Sequence, residues 1–156
     1  MTHIISKEFL AIDEIGRILR EGEKIELGAE AKEAIIKCRD YLESKMEDIG
    51  RPVYGVTTGF GSLCNITIAQ DDLSKLQHNL VKSHACGIGA KLRPEIVRLM
   101  LLLKVQSLSY GHSGAQLETI QRLVDMYNYD ILPVVYEQGS LGASGDLAPL
   151  AHLCLP

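Results

Sequence analysis

The sequence lacks the features typical of membrane proteins and of nucleic-acid-binding proteins. Its 16 Lys and Arg are outnumbered by 20 Asp and Glu, which gives a formal net charge of −4, and the basic residues form no run. This balance favours neither nucleic acid nor an anionic membrane as a partner. The longest apolar run, residues 99–103, is far too short to span a bilayer. The first residues also lack the basic start, apolar stretch and cleavage site of a signal peptide.

Paired cysteines are absent as well. The four cysteines are widely spaced and form no C-x-x-C pair: Cys38, Cys64, Cys86 and Cys154. This spacing favours reduced thiols in a cytosolic protein over a disulfide framework or a zinc site. His78 and His84 are six residues apart, whereas two metal ligands on one helical face are four apart. We therefore expect no metal.

The residues that are present predict a mainly α protein. With 156 residues, 46% apolar and 23% charged, the chain is long enough for one domain with a real core, which we assign to residues 1–156. Apolar periodicity and punctuation predict helices over residues 13–20, 29–46, 73–86, 94–110 and 116–129. Residues 25–27 and 52–54 are weaker candidates for short extended segments. Two glycine-rich stretches, residues 55–61 and 139–145, are expected to stay outside the helices.

The last residues predict one more helix, which would start at Ser144 or Gly145. This helix is apolar, and the sequence ends within it without a polar cap or tail. An apolar helix of this kind needs further chain to pack against. We expect the sequence to be the front portion of a longer subunit, truncated in this helix.

Residues 142–146, Gly-Ala-Ser-Gly-Asp, allow an unusual backbone chemistry. In a tight bend, the Gly145 nitrogen can approach the Ala143 carbonyl carbon, because neither residue brings a bulky side chain. Ring closure with loss of one water, and loss of the Ser144 hydroxyl as a second, leaves an electrophilic methylidene imidazolone. The plainer alternative is a helix-capping loop, with Ser144 as the cap and Asp146 complementing the helix dipole.

Two further groups of residues have both a structural and a functional interpretation. Residues 54–61 lack the pattern of a phosphate-binding loop, so they form either a structural turn or a loop that encloses substrate, with the Tyr54 phenol positioned to act on it. His84 continues the apolar stripe of Leu76 and Leu80. It is either a satisfied core group or, in the last turn of its helix, a group that points out of the core.

A hydrolase interpretation is weaker. Gly111-His112-Ser113-Gly114 and Ser144 both lack the G-x-S-x-G spacing of a nucleophile elbow, and no convincing strand precedes either serine. We interpret residues 111–114 as a turn between helices. The helix over residues 94–110 could also serve as a plain oligomerisation surface, so a non-catalytic helical module remains open.

Taken in order, these elements resemble the histidine ammonia-lyase family of the aromatic amino acid ammonia-lyases. The matching residues are 54–61, Asn79-Leu80 with Ser83-His84, and 139–150. The resemblance runs from about Ile4 onward, but only over the N-terminal part of the family's longer subunit. It implies the helical N-terminal part of the ammonia-lyase fold, with short extended segments and glycine-rich active-site loops.

The resemblance implies a prosthetic group and the residues around it. Ala143, Ser144 and Gly145 would form 4-methylidene-imidazole-5-one autocatalytically, with Gly142 and Asp146 as supporting residues. No metal is implied.

The resemblance also implies the substrate-facing residues. Tyr54 matches the tyrosine taken as the catalytic base at the substrate's β-carbon. Ser83 and His84 resemble the histidine-type selectivity pair, and Gly61 would contribute to substrate binding. L-Histidine, deaminated to urocanate and ammonia, is therefore the expected substrate. Tyrosine or another aromatic amino acid, handled by a lyase or an aminomutase, is the alternative.

The resemblance implies an active site assembled from several subunits of a homotetramer, and we expect the protein to be cytoplasmic. The family's substrate-carboxylate arginine, a second catalytic tyrosine and an asparagine near the prosthetic group would follow Pro156. We therefore expect little or no activity from the isolated 156-residue chain. The sequence departs from the family pattern at Tyr136, where proline is common.

Overall fold

The computed structural model describes residues 1–48, 53–59, 66, 68, 72–140 and 145–156. In chain order its elements are β1 (Thr2–Ile5), α1 (Ile12–Glu21), β2 (Lys24–Leu27), α2 (Ala29–Asp48), α3 (Leu73–His84), β3 (Ile88–Lys91), α4 (Pro94–Ser109), α5 (Leu117–Asn128), β4 (Tyr136–Gln138) and α6 (Ala148–Leu153). The expected mainly α class is confirmed. None of the described helices is long and apolar enough to cross a membrane.

The chain divides into two compact units. The first contains Met1–Lys45 and Arg93–Leu132, and the second contains Met46–Leu92 and Pro133–Pro156. In the first unit β1 and β2 pair in parallel, with Thr2 opposite Lys24 and Ile5 opposite Leu27. A parallel pair needs a crossover, which α1 supplies. Ile25 and Leu27 of β2 are buried while Lys24 and Glu26 are exposed, so one face of the pair is covered.

The core of the first unit lies where α4 and α5 pack together and where α5 packs on β2. Buried side chains of α4 and α5 in this core include Leu101, Leu102, Ile120, Val124 and Tyr127. One buried polar side chain of α4, Gln106, is satisfied by the segment after β1. The Gln106 amide donates to the carbonyl oxygens of Ser6 and Glu8, both at 3.1 Å, so α4 is fixed to that segment by hydrogen bonds.

The second unit contains α3, α6 and the antiparallel pair of β3 and β4. Ile88 lies opposite Gln138 and Lys91 opposite Tyr136, with an irregularity between them. The pairing is extended by the Leu92 N–H, which donates to the Val135 carbonyl oxygen at 2.8 Å. Helix α6 packs against both α3 and β4 and buries Ala148, Ala151, His152 and Leu153. This unit holds the residues of the candidate site.

Most predicted elements occur within a few residues of their expected bounds, and β2 confirms the extended segment over residues 25–27. The interpretation of residues 52–54 as extended is wrong for Tyr54, which lies in a turn, and Pro52 is outside the described residues. The final helix was predicted to start at Ser144 or Gly145, but α6 starts at Ala148. Gly145 has φ +95°, which lies outside the helical region and delays the helix.

Candidate active site

Tyr54 is presented by a hydrogen-bonded turn at residues 54–57. The Val56 and Thr57 N–H groups both donate to the Val53 carbonyl oxygen, at 3.1 and 3.0 Å. Gly55 has φ +72°, a conformation that glycine adopts readily, and this allows the chain to turn directly after Tyr54. Tyr54 is 63% exposed.

Two threonine hydroxyls stabilise this turn. The Thr57 Oγ1 accepts a hydrogen bond from the Val53 N–H at 2.8 Å. Thr58 is buried, and its Oγ1 accepts from the Gly55 N–H at 3.2 Å and donates to the Gly59 carbonyl oxygen at 2.9 Å. Because a buried hydroxyl without partners would be costly, both bonds constrain the backbone beside Tyr54. The turn beside Tyr54 is therefore fixed in its backbone, and the residue it carries is exposed.

Ser83 and His84 are the last two residues of α3. Ser83 is exposed and His84 is partly exposed, so His84 is not a fully buried core group. The Ser83 hydroxyl donates to the Leu80 carbonyl oxygen at 2.9 Å, and the His84 Nδ1 lies 2.9 Å from the same oxygen. The Ser83 Oγ and His84 Nδ1 are 3.0 Å apart.

These contacts assign the tautomer of His84. A carbonyl oxygen can only accept hydrogen bonds, so the Nδ1 that contacts Leu80 carries a proton and donates it. In the neutral ring this leaves the Nε2 lone pair as an acceptor. The Ser83 hydroxyl oxygen lies 3.0 Å from the same Nδ1. The pair therefore presents an oriented imidazole at the end of α3.

Asp146 closes the loop that contains the candidate prosthetic-group segment. Its Oδ1 accepts a hydrogen bond from the Ser140 N–H at 3.0 Å and another from the Ala148 N–H at 3.1 Å. One carboxylate thus joins Ser140, which follows β4, to Ala148, the first residue of α6. In the plainer interpretation Ser144 caps this helix, but the cap position is occupied by Leu147.

Two glycines fit this closed loop for different reasons. Gly145 has φ +95° and would have no atom within 4 Å of an added Cβ, so only its backbone conformation requires glycine. Gly139 has the opposite constraint, because an added Cβ would overlap the Asp146 carboxylate. The loop therefore depends on glycine both for its bend and for the close approach of its ends.

The predicted site residues divide into those that the structure describes and those outside it. Tyr54, Ser83, His84, Gly145 and Asp146 all lie in the second compact unit. The other four lie outside the described residues: Gly61, Gly142, Ala143 and Ser144.

One residue near this site was missed by sequence reasoning, which treated the last helix as simply apolar. His152 of α6 is only 5% exposed, and its Nε2 accepts a hydrogen bond from the Gly87 N–H at 2.9 Å. The available signal was a single histidine within an apolar run. Throughout the described ranges, no group of three or more His, Cys, Asp or Glu residues could hold a metal ion.

Comparison with known proteins places these features in a family. The family model described as aromatic amino acid lyase matches residues 10–156. Histidine ammonia-lyase from Deinococcus radiodurans is 51% identical over 146 residues, which cover 94% of this chain and 28% of that protein. Histidine ammonia-lyase from Clostridium tetani is 44% identical over 153 residues, which cover 98% of this chain and 30% of that protein.

A solved structure shows the same fold. Histidine ammonia-lyase from Trypanosoma cruzi superposes with a TM-score of 0.84 at 37% sequence identity, covering 99% of this chain and 29% of that one. The chain therefore spans about three tenths of the length of the relatives it matches. Because the family model matches nearly the whole sequence, the chain belongs to the aromatic amino acid lyase family.

Proposed function

We propose that this chain contributes the glycine-rich loop and prosthetic-group segment of a histidine ammonia-lyase, which converts L-histidine to urocanate and ammonia without oxidation. The main support is the Asp146 carboxylate, which accepts hydrogen bonds from the N–H groups of Ser140 and Ala148, on either side of residues 141–145. The relatives named histidine ammonia-lyase, at 44% and 51% identity, support the choice of substrate.

The described residues fit a methylidene imidazolone made from Ala143, Ser144 and Gly145. Ring closure joins the Gly145 nitrogen to the Ala143 carbonyl carbon with loss of one water, and loss of the Ser144 hydroxyl gives the second. The segment must therefore bend sharply. Gly145 has a backbone conformation that favours glycine, and Asp146 limits how far the loop can open. Gly142 would leave room beside the bend. When present, this group would supply an electrophile that makes the substrate's amino group a better leaving group.

Tyr54 takes the role of general base in this proposal. Ammonia loss from histidine requires removal of a proton from the β-carbon, and a phenol must be deprotonated to accept it. Thr57 and Thr58 fix the backbone of the turn that carries Tyr54, while the residue itself remains exposed. Gly61, later in the same segment, would allow close approach of the substrate.

Ser83 and His84 select the substrate. The Nδ1–H of His84 is bound to Leu80, so Nε2 accepts a hydrogen bond from an N–H of the substrate. An imidazole ring offers that donor, whereas a phenyl ring does not. A phenol offers an O–H instead, and tyrosine is for that reason the second candidate substrate.

The proposal extends to the assembled enzyme. We propose that residues 1–156 form one N-terminal domain of a longer lyase subunit. The complete subunit would act in the cytoplasm as a homotetramer. The thiols of Cys38 and Cys86 form no disulfide, which is compatible with a reducing compartment.

Intact-mass analysis and peptide mapping test this function. In the complete gene product that contains this sequence, we expect a loss of two waters confined to the peptide with residues 143–145, together with formation of urocanate from L-histidine. Ser144→Ala removes the hydroxyl that forms one of the waters and should abolish both signals. An unmodified wild-type peptide, or turnover of tyrosine in preference to histidine, would contradict the proposal.

A further inference from the structure

His152 lies at a junction of three segments in the second compact unit. It belongs to α6, is 5% exposed, and accepts the Gly87 N–H at 2.9 Å through Nε2. Its ring also meets the Tyr136 ring of β4 edge to face, with centroids 5.5 Å apart and planes at 68°. A single buried imidazole of α6 thus contacts both β4 and the turn after α3.

The hydrogen bond defines the state of the ring. A backbone N–H can only donate, so Nε2 must offer its lone pair, and in the neutral ring the proton is on Nδ1. An aliphatic side chain at this position would leave the Gly87 N–H without this acceptor. The contact is therefore specific for an acceptor at the Nε2 position and does not depend on bulk alone.

Gly87 is adapted to this contact. A Cβ on Gly87 would lie 2.8 Å from the His152 Nε2 and 3.2 Å from the Gln138 carbonyl oxygen. The first distance is too short for a real Cβ, so any larger residue would push the turn away from the imidazole. Glycine at this position allows the backbone after α3 to approach both α6 and β4.

The contact connects the two halves of the proposed site. Gly87 follows His84 by three residues, and His152 is four residues after Ala148, whose N–H is bound to Asp146. Tyr136 precedes Ser140, the other partner of Asp146, in the same strand-to-loop connection. We propose that His152 is a positioning residue that sets the distance from the Ser83-His84 pair to the prosthetic-group segment.

This inference rests on the proposed function and assigns His152 no contact with the reacting atoms. If the spacing is altered, substrate held by His84 is displaced from the electrophile, and a displacement of about 1 Å can cost on the order of 100-fold in rate. The effect should therefore appear in turnover by protein that is folded and fully modified.

The test compares three substitutions in the complete gene product. His152→Gln places an amide oxygen where Nε2 was, so it can still accept from Gly87. His152→Asn carries the same amide on a side chain one methylene shorter, which cannot reach. His152→Leu fills space without an acceptor. Val124→Ala in the core of the first unit is the control for a general loss of stability.

We expect His152→Leu and His152→Asn to lower kcat/KM for L-histidine by roughly 10- to 100-fold, while the loss of two waters remains complete. His152→Gln should stay within about threefold of wild type, because an amide oxygen replaces the lost acceptor. Val124→Ala should lower the melting temperature without a comparable loss of kcat/KM. Hydrogen exchange of the peptide containing Gly87 should be faster in His152→Leu than in His152→Gln.

Three results would overturn the inference. The first is a His152→Leu enzyme with kcat/KM close to wild type. The second is a His152→Leu protein that has lost the prosthetic group, which would assign His152 to group formation instead. The third is equal loss in the Gln and Asn variants, which would exclude the hydrogen bond as the cause. A wild-type protein that is unmodified contradicts the proposed function itself and is recognised before any variant is compared.

Discussion

The carboxylate of Asp146 is bound to the backbone N–H of Ser140, six residues earlier, at 3.0 Å. The same oxygen accepts the Ala148 N–H, so the intervening loop is held at both ends. The two bonds join Ser140 to the first residue of α6 through one carboxylate, and the proposed role of this link can be measured.

Substitution of Asp146 should reduce the fraction of protein that loses two waters. Asp146→Asn keeps an oxygen that can accept both N–H groups, whereas Asp146→Ala removes it. Each backbone hydrogen bond contributes about 1 kcal/mol net, so we expect a clear decrease in Ala and a smaller one in Asn. Peptide mass spectrometry of residues 139–150 measures the fraction. Equal modification of all three proteins would contradict a role for the closure.

Alanine substitutions of Gly139 and Gly145 should impair the loop for two different reasons. Gly139→Ala forces the new methyl group against the Asp146 carboxylate and should lower the modified fraction by opening the loop. Gly145→Ala has open space but must adopt φ +95°, which costs on the order of 1 kcal/mol for a residue with a Cβ.

Gly22→Ala is the matched control for the backbone cost. It has φ +61° and open space, but it caps α1 in the first unit. Its melting temperature should fall while the peptide of residues 139–150 remains fully modified. Full modification of Gly139→Ala would show that the carboxylate contact is dispensable.

Thr58→Val should disturb the turn that presents Tyr54. Valine has nearly the shape of threonine but can neither accept from Gly55 nor donate to Gly59, so two backbone groups lose a partner at a cost of about 1–3 kcal/mol. We expect kcat to fall in the complete gene product. Thr58→Ser retains the hydroxyl and should remain close to wild type in kcat. The idea fails if Val and Ser behave alike.

His84→Phe should change substrate preference. It removes the oriented imidazole at the end of α3 and supplies an apolar ring, so kcat/KM for L-histidine should fall by about 10- to 100-fold, the range expected for loss of a hydrogen bond. Activity with phenylalanine should rise relative to histidine. Ser83→Ala leaves the contact of His84 with Leu80 in place and should produce a smaller loss. Steady-state assays with both substrates decide the outcome.

Asn128 provides a prediction for stability in the first unit. Its side chain accepts from the Ile25 N–H and donates to the Ile25 carbonyl oxygen, both at 2.8 Å, and so joins the end of α5 to β2. Asn128→Ala should destabilise the protein by about 2 kcal/mol, since two hydrogen bonds to the backbone are lost. Gln121→Ala on the same helix loses only a bond to Asp125, within one turn, and should change the melting temperature far less.

The helices could be predicted where the sequence itself restricts the backbone. Pro94 fixed the start of α4, and the glycines at 111 and 114, both with positive φ, separate it from α5 as expected. The short strands β3 and β4 could not be predicted in this way. All four residues of β3 are exposed and its register is irregular, so no alternation of apolar and polar residues marks it.

The sequence could predict which residues belong to the candidate site better than it could predict the contacts between them. Tyr54, His84 and Asp146 were chosen for their chemistry and for the resemblance, and their roles remain proposals. The closure of Asp146 on Ser140 and the bond of His152 to Gly87 depend on the path of the backbone. No spacing rule of the sequence specifies either contact, because the partners are main-chain N–H groups that every residue except proline carries.

The attachment of Ser83 and His84 to Leu80 has a consequence for evolution. Both side chains are held by a carbonyl oxygen of their own helix, and neither belongs to the buried core. Substitutions at partly exposed positions of this kind change stability little, typically by about 0.5 kcal/mol or less. In the proposed function, point mutations at the end of α3 would therefore change which substrate is accepted at little cost in stability.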